Sequence, residues 1–395
     1  MLEPLIKKEE LCFKNTLAID DSLIDRLDLV ERMLDSQSNT NFENMMIIGA
    51  QHILPSTLTM LKSFFDRGLR PKNVFLIGKC YSTDFDTYHK LIELGVYVCP
   101  SSFYFNKDFS FDIYYQTNIA SFMEKILKAA SLKDKKLIVA LDDGGELITV
   151  LNQHPMAINL PIVCLEQTTS GFEKLSKIKL NFGVINLARS DAKINFESSI
   201  VAKTAIREID NKILKNPNIP KNVLIIGNGA IGNAIANALE GKCNTSIVDK
   251  DPKKSINNYK KVFNAISEFD MIFGCVGANI LPYNVLKNLK KGATLISVSS
   301  SDREFDIVKW RRLSPEINSC HNDFQYKGIT VMNCGFPINF SGDASKVDIK
   351  EFELTRALLS LGIVQAFEHK THKGFIPLNI TAQYTLIDWF SKKYI

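Results

Sequence analysis

The sequence lacks any CxxC pair. Its eight cysteines (Cys12, Cys80, Cys99, Cys164, Cys243, Cys275, Cys320 and Cys334) are scattered over 395 residues. Several sit inside apolar runs, Cys164 in IVCL and Cys275 in FGCV, so they are expected as buried reduced thiols, not a disulfide frame or zinc knuckle. No long hydrophobic run is present. The longest uncharged apolar stretch, 147–165, is broken by Asn152, Gln153, His154, Pro155, Asn159 and Pro161, which excludes a membrane span. The opening MLEPLIKKEE has no apolar core of a secretory signal, so the expected location is the cytoplasm. Charge of one sign is also scarce. Lys+Arg number 48 against 43 Asp+Glu, a net +5 without any run of five basic residues, so neither nucleic acid nor a membrane surface is an expected partner. No GxxxxGK[ST], GxSxG or HExxH occurs. His369 and His372 read as a solvated helix end, and no metal site is expected.

What is present is an ordinary globular composition, 45% hydrophobic and 23% charged, over a length that suits two or three domains. Short apolar runs alternate with amphipathic stretches. MMIIG (45–49) precedes a helical pattern over 56–67, NVFLIG (73–78) one over 83–94, and KLIVAL (136–141) one over 144–152; LPIVCL (160–165) follows. The same alternation restarts at NVLIIG (222–227) and continues through TSIVD (245–249), MIFGCV (271–276) and TLISV (294–298). This predicts an α/β protein with two doubly wound parallel sheets. A helix is expected over 198–214, ended by KNPNIPKN (215–222), whose two prolines mark a boundary. A long, all-round apolar helix is expected over 348–368. The predicted domains are 1–198 with about 346–395, and 199–345, so the chain crosses between them twice.

The most specific motif is Gly227-Asn228-Gly229-Ala230-Ile231-Gly232. It follows the strand VLII directly and opens an Ala/Ile-rich helix, and Asp249 closes the next strand. That context is the Rossmann dinucleotide fingerprint. Gly227 permits the tight turn, Gly229 lets backbone approach a pyrophosphate and Gly232 allows close helix packing, while the helix N-terminus supplies amides for phosphate. Asp249 can accept from ribose hydroxyls and would repel a 2′-phosphate, so NAD is the expected cofactor. Gly277, at the end of the GCVG strand exit, is either a cofactor-flanking position or a tight turn.

Four segments of the N-terminal half place polar residues directly after apolar strands: GAQH (49–52), LDDGGEL (141–147), LEQTTSG (165–171) and NLARSDAKINFES (186–198). Strand carboxyl ends are where ligands bind in parallel sheets; single helix caps are the plain alternative for Thr168 or the aspartates. In this order, and followed by the dinucleotide unit, these segments resemble the S-adenosylhomocysteine hydrolase (adenosylhomocysteinase) superfamily over about residues 45–310, with a weaker echo at 333–335 that brings in Asn333. The resemblance implies tightly bound NAD that oxidises the 3′-hydroxyl of a nucleoside-like substrate. It further implies loss of the acidified C4′ proton, elimination and hydration at C5′, and final re-reduction. It implies His52 and Asp143 as an acid/base pair, Lys193 as the residue handling the 3′-hydroxyl proton, Glu197 in place of a ribose-binding aspartate, and Gln167 and Thr168 in the substrate loop. It also implies a homodimer or homotetramer.

The departures from that family fall at substrate contacts. Gln167 replaces a glutamate, Ala188-Arg189 an Asn-Asp pair, Ser300 and Phe340 two histidines, and Leu54 a threonine. They point to a substrate other than adenosylhomocysteine, or to one bound differently. Arg189, beside Lys193, reads either as a ligand for a substrate carboxylate or phosphate or as a surface arginine. Lys193 and Glu197, four apart, read either as a catalytic pair or as a salt bridge. Two other functions stay open at this level: a net NAD-dependent dehydrogenase acting on another hydroxyl, and a catalytically lapsed NAD-binding regulator.

Overall fold

The structure, a computed structural model, describes residues 26–37, 40–129, 132, 134–210, 220–340, 342 and 349–394. In chain order it forms α1 (Asp28–Asp35), β1 (Met45–Ala50), α2 (Pro55–Phe65), β2 (Val74–Ile77), α3 (Phe85–Glu93), β3 (Tyr97–Val98) and α4 (Phe111–Ala129). There follow β4 (Leu137–Asp142), α5 (Glu146–Gln153), β5 (Ile162–Glu166), α6 (Thr169–Leu175), β6 (Gly183–Asn186) and α7 (Ser198–Ile209). The next stretch holds β7 (Asn222–Ile226), α8 (Ala230–Leu239), β8 (Asn244–Val248), α9 (Tyr259–Asn264), β9 (Met271–Gly274), α10 (Tyr283–Leu286), β10 (Thr294–Ser297), α11 (Val308–Arg312), β11 (Phe324–Tyr326) and β12 (Ile329–Val331). The chain closes with α12 (Glu353–Gln365), β13 (Gly374–Pro377) and α13 (Ile380–Tyr394). No helix among the described residues is long and apolar enough to cross a membrane.

The chain divides into two compact units. One holds residues 26–104, 116–193 and 349–394; the other holds 105–115 and 194–342. The first unit carries a seven-stranded sheet in the order β13-β6-β5-β4-β1-β2-β3, with every pairing parallel. Its central strands are buried along their whole length, which is why they read as unbroken apolar runs and not as alternating ones. From β1 the chain winds one way to β2 and β3; from β4 it winds the other way, to β5 and β6. The switch point therefore falls between β1 and β4. The second unit carries the order β11-β12-β10-β9-β7-β8, antiparallel only at β11–β12, with its switch point between β7 and β9. Both are doubly wound α/β sheets, as the alternation predicts.

The sequence-level split kept 105–115 with the first part. In the structure it belongs to the second unit because a buried ion pair holds it there. Asp302, on the stretch after β10, accepts from the Phe111 amide (3.0 Å) and from Arg311 Nη2 (2.7 Å), and the same Arg311 nitrogen reaches the Phe109 carbonyl at 2.9 Å. The helix expected over 198–214 is seen as α7, preceded by a π-helical turn, Lys193–Glu197; residues 211–219, with most of the proline boundary, lie outside the described residues. The long apolar helix is α12, buried on all faces as predicted, with single 3-10 turns at either end. The Lys/Tyr chain end folds onto its own chain: Lys393 Nζ lies 3.3 Å from Glu353 Oε2, and the Tyr394 hydroxyl also bonds Glu353, which accepts from the Leu29 amide (3.0 Å) as well.

Candidate active site

In the first unit the two loops at the switch point bring His52 and Asp143 together. His52 follows β1, and its Nε2 lies 3.4 Å from Asp143 Oδ2, which follows β4. That separation is long for a hydrogen bond. An ionised carboxylate only accepts, so His52 Nε2 donates to Asp143 and Nδ1 accepts from the Ser82 hydroxyl next to it. Asp143 has two further partners. Lys79 Nζ, at the end of β2, bonds its Oδ1 and donates to its main-chain carbonyl at 2.6 Å, and Gln167 Nε2, at the end of β5, bonds its Oδ2. Four strand ends thus converge on one carboxylate.

The electrostatics follow from that geometry. Burial opposes the Asp143 charge, but the Lys79 ammonium and the His52 ring outweigh it and hold the carboxyl well below the usual range. For His52, burial dominates and lowers its pKa; Asp143 pulls it back up only in part, and Lys79 and Arg356 push it down further. The imidazole is therefore neutral and the carboxylate ionised at neutral pH, an arrangement in which the ring can take a proton and the carboxylate steadies the cation formed. Arg356, buried in α12, is held by Ser56 Oγ (3.1 Å). Gln167 Nε2 also lies 3.4 Å from Gln51 Oε1, which leaves Gln51 Nε2 and Gln167 Oε1 buried and without hydrogen-bond partners. One spare donor and one spare acceptor thus lie on two neighbouring buried glutamines.

The other expected residues stand apart from this cluster. Thr168 is the N-cap of α6: its Oγ1 accepts from the Gly171 amide (3.0 Å) and donates to Glu166 Oε1 (2.7 Å). Arg189 is exposed, 3.5 Å from Glu173 and stacked over Phe172 at 5.1 Å, which matches the surface reading of that residue. Lys193 is half-buried and opens the π-helical turn; the side chain of Glu197 lies outside the described residues, so their pairing is not defined. Lys79, Gln51 and Ser82 were not marked in the sequence. The signal for Lys79 was there, since it follows NVFLIG as His52 follows MMIIGA, but GKCYS carries no acid or glycine pair to flag it.

In the second unit the dinucleotide loop sits at the other switch point. Gly227 has φ +106°, and a Cβ there would meet Val276 and the Cys275 carbonyl below 3 Å. A Cβ on Gly232 would lie 1.8 Å from the Gly227 carbonyl, so α8 starts hard against the turn. Gly229 and Gly277 differ: a Cβ on either meets nothing within 4 Å. Gly229, the N-cap of α8, thus leaves open space at that helix's first turn, where Ala230, Ile231 and Gly232 sit and whose amides have no intrahelical acceptor, and Gly277 after β9 is likewise open. Asp249 closes β8, its Oδ2 accepting from the Asn228 amide at 2.8 Å and its Oδ1 from the Asp251 amide at 2.8 Å. The backbone bracing the loop leaves each oxygen a further lone pair. Glu304, unmarked in the sequence, accepts from the Ser299 hydroxyl and from the Val276 and Gly277 amides (2.9 and 2.6 Å), and burial, partly offset by these bonds, raises its carboxyl to about 7. The residues fit a dinucleotide. Asn333, expected at the substrate, has a left-handed backbone (φ +47°), and its side-chain amide donates to the carbonyls of Phe340 (3.1 Å) and Pro337 (3.4 Å).

No family model matches the chain. An uncharacterized protein of Mycobacterium tuberculosis strain H37Rv is 34% identical over 344 residues, 86% of this chain and 67% of that protein, and the same figures hold for an uncharacterized protein of strain CDC 1551. The chain belongs to the family of these mycobacterial proteins. Among solved structures, a dipicolinate synthase chain of Bacillus halodurans is similar at a TM-score of 0.42, with 13% identity over 83% of this chain and 99% of that one. NAD+-bound 3-phosphoglycerate dehydrogenase of Entamoeba histolytica is similar at 0.36, with 14% identity over 78% of this chain and 95% of that one. At that level neither says anything of ligand or reaction.

Proposed function

We propose that this family member is an NAD-dependent enzyme that acts on a hydroxyl group of a nucleoside-like substrate, through oxidation at the 3′ position, elimination and hydration at C5′, and re-reduction. The observation that carries the reading is the His52–Asp143 pair at a sheet switch point, neutral ring against ionised carboxylate, in a chain that also holds an open glycine-lined dinucleotide loop. When bound, NAD supplies a reversible hydride acceptor. The chain supplies the rest. Gln51 Nε2 offers a spare donor to the oxygen of a substrate hydroxyl, whose single proton passes to His52 Nδ1 once the hydroxyl displaces Ser82 there; Gln167 Oε1 remains an acceptor for a second polar group of the substrate. Asp143, locked by Lys79, stabilises the imidazolium. Lys193 and Glu197 are the further candidates for the 3′-hydroxyl and ribose.

One observation favours a second reading, net dehydrogenation. Lys79 occupies the carboxylate that the superfamily resemblance makes half of an acid/base pair, leaving one clear proton acceptor. A single base suffices to oxidise an alcohol; elimination and hydration need a second proton donor. Turnover of nucleosides and nucleoside thioethers in the presence of NAD separates the two. Product formation without accumulating NADH is the outcome expected for internal redox recycling. One NADH per product would replace it with the dehydrogenase.

A further inference from the structure

One residue before Asp143 and one before Gln167 lies a second pair of acids that the proposed chemistry leaves unused. Asp142 closes β4, Glu166 closes β5, and the two are register partners on neighbouring parallel strands. Both are buried, 1% and 0% exposed. Each commits one oxygen to a loop amide. Asp142 Oδ2 accepts from the Ile148 amide in the first turn of α5 (2.8 Å). Glu166 Oε1 accepts from the amides of Gly144 (3.3 Å) and Thr168 (2.7 Å) and from the Thr168 hydroxyl. The other two oxygens, Asp142 Oδ1 and Glu166 Oε2, are buried and without a hydrogen-bond partner. Gly171 of α6 closes over the Glu166 carboxyl so tightly that a Cβ would fall 2.3 Å from it.

The charged and titratable groups around the pair do not neutralise it. Lys79 is committed to Asp143, whose own carboxylate adds like charge beside the pair, Glu146 of α5 is bonded by Lys174 of α6, and the Cys164 thiol of β5 is a further neighbour. Two adjacent buried carboxylates, each with an orphan oxygen, are costly as two charges and complementary as one charge and one acid. We propose that Asp142 and Glu166 hold a single proton between Oδ1 and Oε2 at neutral pH and act as positioning residues for the 143–145 and 167–168 turns that carry Asp143 and Gln167. Burial first, then Glu146, pushes Asp142 up to about 7; burial first, then Asp142, raises Glu166 well above the usual range. The assignment stands whatever the substrate.

Infrared difference spectroscopy of the full chain near neutral pH tests it. Glu166→Gln and Asp142→Asn each keep the charge of the pair at minus one and replace the shared proton by an amide donor. The wild-type-minus-variant spectrum is expected to show loss of one protonated-carboxyl C=O band with either substitution. Loss of an ionised carboxylate band alone overturns the proposal. So does a wild-type-minus-variant spectrum in which no C=O band is lost with either change, the wild type showing only a band common to all three proteins, as another buried acid such as Glu304 would give. Should one variant not fold, the other removes the same proton. The positioning role has its own readout, the His52 ring titration followed by NMR: Glu166→Gln keeps the wild-type midpoint and Glu166→Ala shifts it, whereas equal behaviour of the two refutes positioning.

Discussion

Lys79 is the residue on which the first unit's electrostatics turn. A buried ammonium and a buried carboxylate each cost several kcal/mol to desolvate, and their pairing recovers this only with good geometry. Removing one partner is therefore far more damaging than replacing both. Lys79→Met leaves Asp143 buried and unpaired, and should lower unfolding stability by about 3–5 kcal/mol in a urea titration at neutral pH; a loss below about 0.5 kcal/mol would contradict the ion pair. The acids of this protein also predict opposite pH trends. Asp143, with its pKa depressed, stabilises above its unfolded value of about 3.9 and loses that contribution as pH falls through the folded value. Glu304, raised to about 7, contributes stability that is complete below its unfolded value and lost as pH rises through the folded one. Relative to Glu304→Gln, the wild type should thus lose stability between roughly pH 4 and 7, at up to about 1.4 kcal/mol per pH unit. Identical pH slopes for the two proteins would show that Glu304 is not buried as an acid. His52, Asp143 and Gln167 were legible in the sequence because they end apolar strands in motifs with a chemical signature. Lys79 and Gln51 also follow apolar strands, Gln51 within GAQH itself, but nothing in GKC or GAQ distinguishes a buried lysine or glutamine from a solvated one.

At the scale of the element, two glycines three residues apart do different work. Gly232 has no room for a methyl group, so Gly232→Ala must push α8 off its turn and should destabilise the second unit by about 1–3 kcal/mol. Gly229 has an ordinary φ of −81° and open space around it, so Gly229→Ala should leave the melting temperature unchanged while filling the space a pyrophosphate needs. Weaker NAD binding at constant stability, measured by calorimetry and thermal melts on the same variant, is the expected signature; unchanged affinity would place the dinucleotide elsewhere. The long buried strands were legible as apolar runs. Four-residue β13 was not, because it begins and ends with residues that read as turns, Gly374 and Pro377. Helix α13 buries only Gln383, Leu386 and Phe390, a stripe too narrow for periodicity to reveal.

Across the whole molecule, the two switch points were foreseeable from strand–helix alternation, but the path of the chain was not. It passes between the units at 104–105 and within α4, as well as near 193 and before 349, because Asp302 and Arg311 hold 105–115. Polar contacts 191 and 202 residues apart leave no periodic trace in a sequence. Arg311→Met should cost about 3–5 kcal/mol, since it strands the Asp302 charge in a site with no solvent exposure; a near-neutral effect on the urea midpoint would mean the segment is held by its aromatic packing instead. The account as a whole rests on a dinucleotide being bound. Titration of the protein with NAD and with NADP by calorimetry tests this most directly: saturable binding of NAD is expected, tighter than NADP by about tenfold or more, ~1.4 kcal/mol, because the Asp249 carboxylate beside the glycine loop would repel a 2′-phosphate. No binding of either nucleotide, or a preference for NADP, would contradict it.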